Sequence, residues 1–175
     1  MLGKALGSNG RLFMFEPFSV SHNLALKNVY FNGLADITTS YNVGGGSAYS
    51  KGVEFIDMGN TGGSRVFTNQ ANVGDPSKNE EVVVDKIDDV LPSDVVLDFV
   101  LIDVERMELD VINGMKNLIL KSPNIIIFCE WSGNYFRTSG ETQKMIDVVA
   151  WFVEHKFRFF QMTGGEAACQ YAPWA

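Results

Sequence analysis

A chain of 175 residues, 46% hydrophobic and 20% charged, suffices for one domain with a sizeable core, expected to run from residue 1 to 175. Its net charge of −7 and its lack of any Lys/Arg cluster exclude a nucleic-acid partner, and no apolar stretch reaches the roughly 18 residues a membrane span needs. The opening residues hold no long apolar segment of the signal-peptide kind. Cys129 and Cys169 have no C-x-x-C partner and read as free thiols in a reducing compartment, so a cytoplasmic location is expected.

Residues 1–7 read as the last turn of a helix with a Gly-rich exit. Residues 11–16 form a compact apolar strand that ends at Glu16 and is broken by Pro17. Ser19 or Ser21 then caps a helix whose apolar face is Ala25, Leu26, Val29 and Tyr30, closed by Asn32 and Gly33. Residues 35–43 supply a second, half-polar strand. Between 44 and 79 the glycine runs at 44–47, 59–64 and 74–76 separate short β-prone pieces at 53–58 and 65–68. They predict a surface hairpin inserted at the sheet edge, because no phosphate-binding glycine motif stands in strand-to-helix context. Residues 81–84 are a further strand, and 87–91 a helical turn stopped by Pro92.

Residues 96–110 organise the rest. A continuous apolar run stops in acid at Asp103, as a buried parallel strand does. It turns at once into an amphipathic helix with Met107, Val111, Met115 and Leu118 at helical spacing, widened by Ile112 and Ile119. Glu105, Glu108 and Asp110 crowd its first turn, where the macrodipole favours negative charge. Residues 123–130 repeat the pattern, ending at Glu130. A polar loop at 131–140, a helix from Glu141 to His155, a strand at 157–162 and a final strand opening at 168 complete the chain. Strands alternating with helices predict an α/β fold with a mostly parallel sheet.

Three strands therefore end in a carboxylate: Glu16, Asp103 and Glu130. In a parallel sheet those ends share one edge, where ligands bind. Acids just past a strand also cap helices, so a shared functional rim and three separate caps are both open. Glu16 suits both ribose hydroxyls of an adenosine cofactor. Asp103 and Glu105 suit a substrate hydroxyl or a hard cation. Zinc is not expected, since His22 and His155 lie apart from each other and from any cysteine; the assigned metal set is empty. No G-x-S-x-G elbow supports a hydrolase. Trp131, Tyr135 and Phe136 read either as a wall facing substrate or as aromatics packed on the sheet.

Residues 10–17 with 28–34, residues 88–89 with 98–109 and 112–114, and residues 123–130 together resemble the FkbM-type methyltransferases that use S-adenosylmethionine. The resemblance runs from about Leu6 to about Phe160. It implies a Rossmann-like class I methyltransferase sheet and transfer of a methyl group to a hydroxyl on a small-molecule or carbohydrate acceptor, a sugar or natural product. It places Glu16 on the ribose, Asn42 and Val43 near the adenine, Asp103 and Glu105 facing the methyl, and Glu130 beside the acceptor. The family pattern has Lys where Leu101 stands and Gly where Arg106 stands. Its first strand and glycine-rich loop would precede residue 1 and are expected to be missing, which predicts weak cofactor binding by the chain as given. A degenerate, non-catalytic binding or scaffold module of the same fold is the alternative.

Overall fold

In the computed structural model the described residues are 2–55, 65–67, 79–131, 133–163 and 168–171, so the expected turns at 59–64 and 74–76 lie outside them. The chain divides into two compact units, Met1–Trp131 and Ser132–Ala175.

The first unit opens with helix α1 (Leu2–Ala5) and strand β1 (Leu12–Phe15). Helix α2 (Ser19–Phe31) follows, then a short 3-10 turn (Ala35–Ile37) and strand β2 (Thr38–Tyr41), which pairs in parallel with β1. Gly33, at φ 68°, closes α2: its N–H donates to the Tyr30 carbonyl and that of Leu34 to Val29, a Schellman motif. The predicted cap and face of α2 are corrected. Phe18, not a serine, is the N-cap residue, and Ser19 turns its hydroxyl to Glu80. The inward stripe is Phe18, His22, Ala25 and Val29, whereas Leu26 is exposed and Tyr30 is 72% exposed. The stripe from Phe18 advances by three or four residues per turn, so Leu26 and Tyr30 fall beside it rather than on it.

Strands β3 (Gly44–Gly45), β4 (Ser50–Phe55), β5 (Arg65–Phe67) and β6 (Asn79–Asp85) form a sheet in the order β3-β6-β4-β5. The pairing of β4 with β5 and with β6 is antiparallel, as expected of a hairpin insertion, and β3 joins β6 in parallel. After helix α3 (Ile87–Val90), strand β7 (Phe99–Ile102) pairs in parallel with β8 (Ile126–Cys129). Between them the apolar stripe is buried as expected at Val111, Ile112, Met115, Leu118 and Ile119, whereas Met107 is only half-buried and Leu109 is buried in addition. The stripe is carried by two short helices rather than one, α4 (Glu108–Asn113) and α5 (Lys116–Leu120). The break falls at Gly114, where the Gly46 backbone approaches so closely that a Cβ would sit 1.8 Å from its carbonyl oxygen. The Asp88 carboxylate then caps α5 from outside, accepting the Asn117 and Leu118 N–H groups at 3.0 and 2.8 Å.

Mixed α/β architecture with parallel strand pairs is thus present. Hydrogen bonding links the described strands into four separate small sheets, and β1 does not pair with β7. Among the described residues the strand ending in Glu16 therefore lies in a different sheet from those ending at Asp103 and Glu130, and the expected shared edge is not formed by these strands.

The second unit contains α6 (Gly133–Thr138), α7 (Thr142–Glu154), β9 (Phe160–Thr163) and β10 (Ala168–Tyr171), the strands pairing antiparallel. The polar loop expected at 131–140 is mostly α6. Phe136 is fully buried against Tyr135 at 5.8 Å, which removes it from a wall facing substrate. Val148 and Phe152 of α7 are buried too, and Phe157 and Phe159 pack edge-on to Phe152. Among the described residues no helix is long and apolar enough to cross a membrane.

Candidate functional site

Strand β7 ends at Ile102, β8 ends at Cys129, and the register Ile102↔Cys129 brings the following residues, Asp103 and Glu130, side by side. Parallel strands end together at their carboxyl ends, so two sequence runs that stop in acid deliver their acids to one place. Glu105 joins them because the chain reverses there: Glu105 and Arg106 take positive φ values of 47° and 83° before α4 begins. One carboxylate oxygen from each of Asp103, Glu105 and Glu130 lies within 4.8 Å of the others. Asp103 and Glu130 stand exposed, Glu105 half-buried.

Like charges at that separation disfavour ionisation of Glu130. The charge of Asp103, then the hydrogen bond between the two side chains, holds the Glu130 carboxyl above the usual carboxylate range, with Glu105 and Glu108 adding to it. The Cys129 thiol is pushed up to about 12, first by burial and then by the charges of Glu108, Glu130 and Asp103. It stays a neutral thiol at physiological pH and is no nucleophile.

Glu108, read from the sequence only as a dipole partner, is tied to the turn that precedes α4. It is 1% exposed, one oxygen accepts the Arg106 N–H at 3.0 Å, and Oε2 has no hydrogen-bond partner among the described residues. The three-residue spacing from Glu105 was the only signal that could have revealed it.

The other predicted residues lie at the carboxyl ends of β1 and β2. Glu16 is half-buried; one oxygen accepts the Phe18 N–H at 2.9 Å, and burial holds its carboxyl above the usual range, opposed by that bond and by His22. Its remaining oxygen fits one hydroxyl donor. Asn42 is spent structurally: its amide donates to the Glu16 and Pro17 carbonyls at 2.9 and 2.8 Å, clamping the end of β2 to that of β1. Val43 is half-buried between β2 and β3. Thus Asp103, Glu105 and Glu130 converge, while Glu16, Asn42 and Val43 form a separate group. Hollows of about 530 Å³ beside Arg11, Phe13 and Tyr41 and about 220 Å³ beside Ser47, Met107 and Asp110 include none of these acids. The acids occupy an open rim.

A family model described as the methyltransferase FkbM domain matches residues 2–159. No curated protein and no solved structure matches the chain.

Proposed function

The chain belongs to the FkbM methyltransferase family, and from that membership we propose a methyltransferase that uses S-adenosylmethionine to methylate a hydroxyl of a sugar or natural product. The carrying observation is the convergence of Asp103, Glu105 and Glu130 within 4.8 Å beyond the ends of β7 and β8, the edge where α/β sheets hold their ligands. The family match crosses both compact units, which supports a single Rossmann-like domain.

S-adenosylmethionine supplies an electrophilic methyl on a sulfonium when bound. Glu16, half-buried with one oxygen to spare, suits a ribose hydroxyl. Asn42 orders the turn beside it through two backbone carbonyls, with Val43 following as apolar surface for the adenine. Glu130 carries a carboxyl already biased towards its proton, which improves it as the base for an acceptor hydroxyl. Asp103 and Glu105 orient that hydroxyl, and alignment of the reacting atoms accounts for most of the acceleration. We place the protein in the cytoplasm, with neither nucleic acid nor membrane as partner.

Calorimetric titration of S-adenosylmethionine into the protein and into Glu16→Ala tests the donor site. Binding that disappears in the variant is expected; equal affinity refutes the ribose assignment. Transfer of labelled methyl to a panel of sugars and small polyols should fall about 100-fold in Glu130→Gln if a general base is removed. A non-catalytic module of the same fold is the second reading, favoured by the exposure of Leu101 amid other apolar residues of β7 and β8. It predicts donor binding without transfer to any acceptor.

A further inference from the structure

Alternation along the strands gives the β1–β2 pair two different sides. On one side α2 packs, its His22 meeting the Ser40 hydroxyl at 2.7 Å. The other side carries Arg11 and Phe13 and, through the register Phe13↔Thr39 and Phe15↔Tyr41, Thr39 and Tyr41 as well. There the hollow of about 530 Å³ opens, and Asp36 joins its lining from the 3-10 turn before β2. The aromatic part of that lining is already held in place. The Arg11 guanidinium lies over Phe13 at 5.4 Å from the ring centre, and Tyr41 stacks on Phe15 at 4.9 Å and 18°. Arg11, Asp36 and Thr39 stand exposed, and among the described residues neither Arg11 nor Asp36 is in an ion pair. A fork of donors, a carboxylate and flat rings therefore border one space.

Each part of that lining narrows the ligand. An anion would meet the Asp36 carboxylate and a chain of net charge −7, and a cation would meet Arg11. An apolar molecule would strip water from both charges and replace none of it. A neutral polyol satisfies both, because its hydroxyls donate to Asp36 and accept from Arg11, and hydrogen bonds to charged groups are the stronger kind. The rings require a flat apolar face besides. A pyranose with equatorial hydroxyls has one on each side, made of its axial C–H bonds. We propose that this hollow binds a neutral gluco-configured carbohydrate, stacked on Phe13 and Tyr41 with its hydroxyls held by Arg11 and Asp36. Arg11 lies roughly 16 Å along the strand from Glu16 at about 3.3 Å per residue, and none of the converging acids lines the space. The site is thus apart from the one assigned to methyl transfer and does not rest on it.

Cellobiose alone is titrated by calorimetry with no methyl donor present, and saturation transfer from protein to sugar protons is followed on the same samples. A dissociation constant of about 1 mM is expected, with the strongest transfer to the axial ring protons. Arg11→Met keeps an apolar stem and removes the donor fork, and Asp36→Asn removes the charged acceptor. Each should weaken binding at least about tenfold. Both alter exposed side chains, so their melting temperatures should match that of the parent. Glu81→Gln, on the hairpin, should bind as the parent does. Glucuronate and glucosamine, charged at neutral pH, should bind more weakly than glucose. No binding by about 20 mM cellobiose, parental affinity in Arg11→Met or Asp36→Asn, or a charged sugar bound more tightly than glucose overturns the proposal. None of these results bears on the Glu16 titration with S-adenosylmethionine, so the two readings fail separately.

Discussion

A carboxyl held partly out of water prefers its proton, and Glu16 is so placed. Because its folded-state pKa lies above the ordinary value of 4.5, the native protein carries a penalty that is fully present at neutral pH. The penalty shrinks as pH falls through the raised pKa and is gone below the unfolded value. Glu16 therefore makes the protein more stable as pH drops from neutral towards 4.5. Glu16→Gln should be more stable than the parent at pH near 7 and show a flatter stability–pH profile in urea unfolding; an unchanged slope refutes the assignment. Arg106 shows a different residue-level conflict. Its φ of 83° is left-handed backbone, which costs an L residue roughly 1 kcal/mol, and the family pattern has glycine there. Arg106→Gly keeps the N–H that Glu108 accepts and should stabilise by about 1 kcal/mol. Nothing about an arginine announces positive φ, so the sequence shows a turn after Asp103 but not its left-handed backbone. The acids were legible directly, because each interrupts an apolar run.

At the scale of elements, two parallel strands ending in acid were readable in the apolar runs of residues 96–103 and 123–130, but the expected burial of both faces is not met, because Phe99, Leu101, Ile126 and Phe128 stand exposed. The helix after Asp103 was readable in its buried stripe and not in its continuity. Its interruption comes from a long-range contact: Gly114 abuts the Gly46 carbonyl, and its own carbonyl accepts the Asp88 N–H. A glycine within a helical pattern permits that approach without revealing what approaches. Gly114→Ala should therefore cost about 3 kcal/mol or more, since the atom met is backbone and cannot swing away. Leu109→Ala, at a site 1% exposed, should cost about 2–4 kcal/mol through the lost burial and the cavity left behind. Thermal melts distinguish the two effects. Overpacking worsens with size, so Gly114→Val should melt below Gly114→Ala, whereas Leu109→Met refills the cavity and should melt well above Leu109→Ala. The α2 face was misread for a simpler reason. Four apolar residues near helical spacing suggest a face, but only Ala25 and Val29 of them turn inward, while Leu26 and Tyr30 stand exposed.

At the scale of the molecule, the balance is between charge and uncovered apolar surface. The register sets Phe99 beside Ile126 and Leu101 beside Phe128, and all four are exposed, Leu101 by 53%. Alternation along each strand puts them on one side of the β7–β8 pair, a contiguous apolar patch of a size that promotes association. Neither strand has a further ladder partner among the described residues, and open edges template pairing with other chains. A net charge of −7 opposes such contact by mutual repulsion, and that repulsion is screened as the Debye length shrinks from about 20–30 Å to below 10 Å with added salt. Self-association should accordingly rise with salt, the reverse of what charge-driven pairing would show. Replacing Leu101 by Lys, the family's residue, and Phe128 by Thr should weaken association about tenfold while changing stability by no more than about 0.5 kcal/mol, because the altered side chains already face water. Sedimentation velocity at low and moderate salt, with melts of the same samples, reads both quantities. If the variant melts markedly lower than the parent, those side chains are covered in solution and the patch belongs to the core.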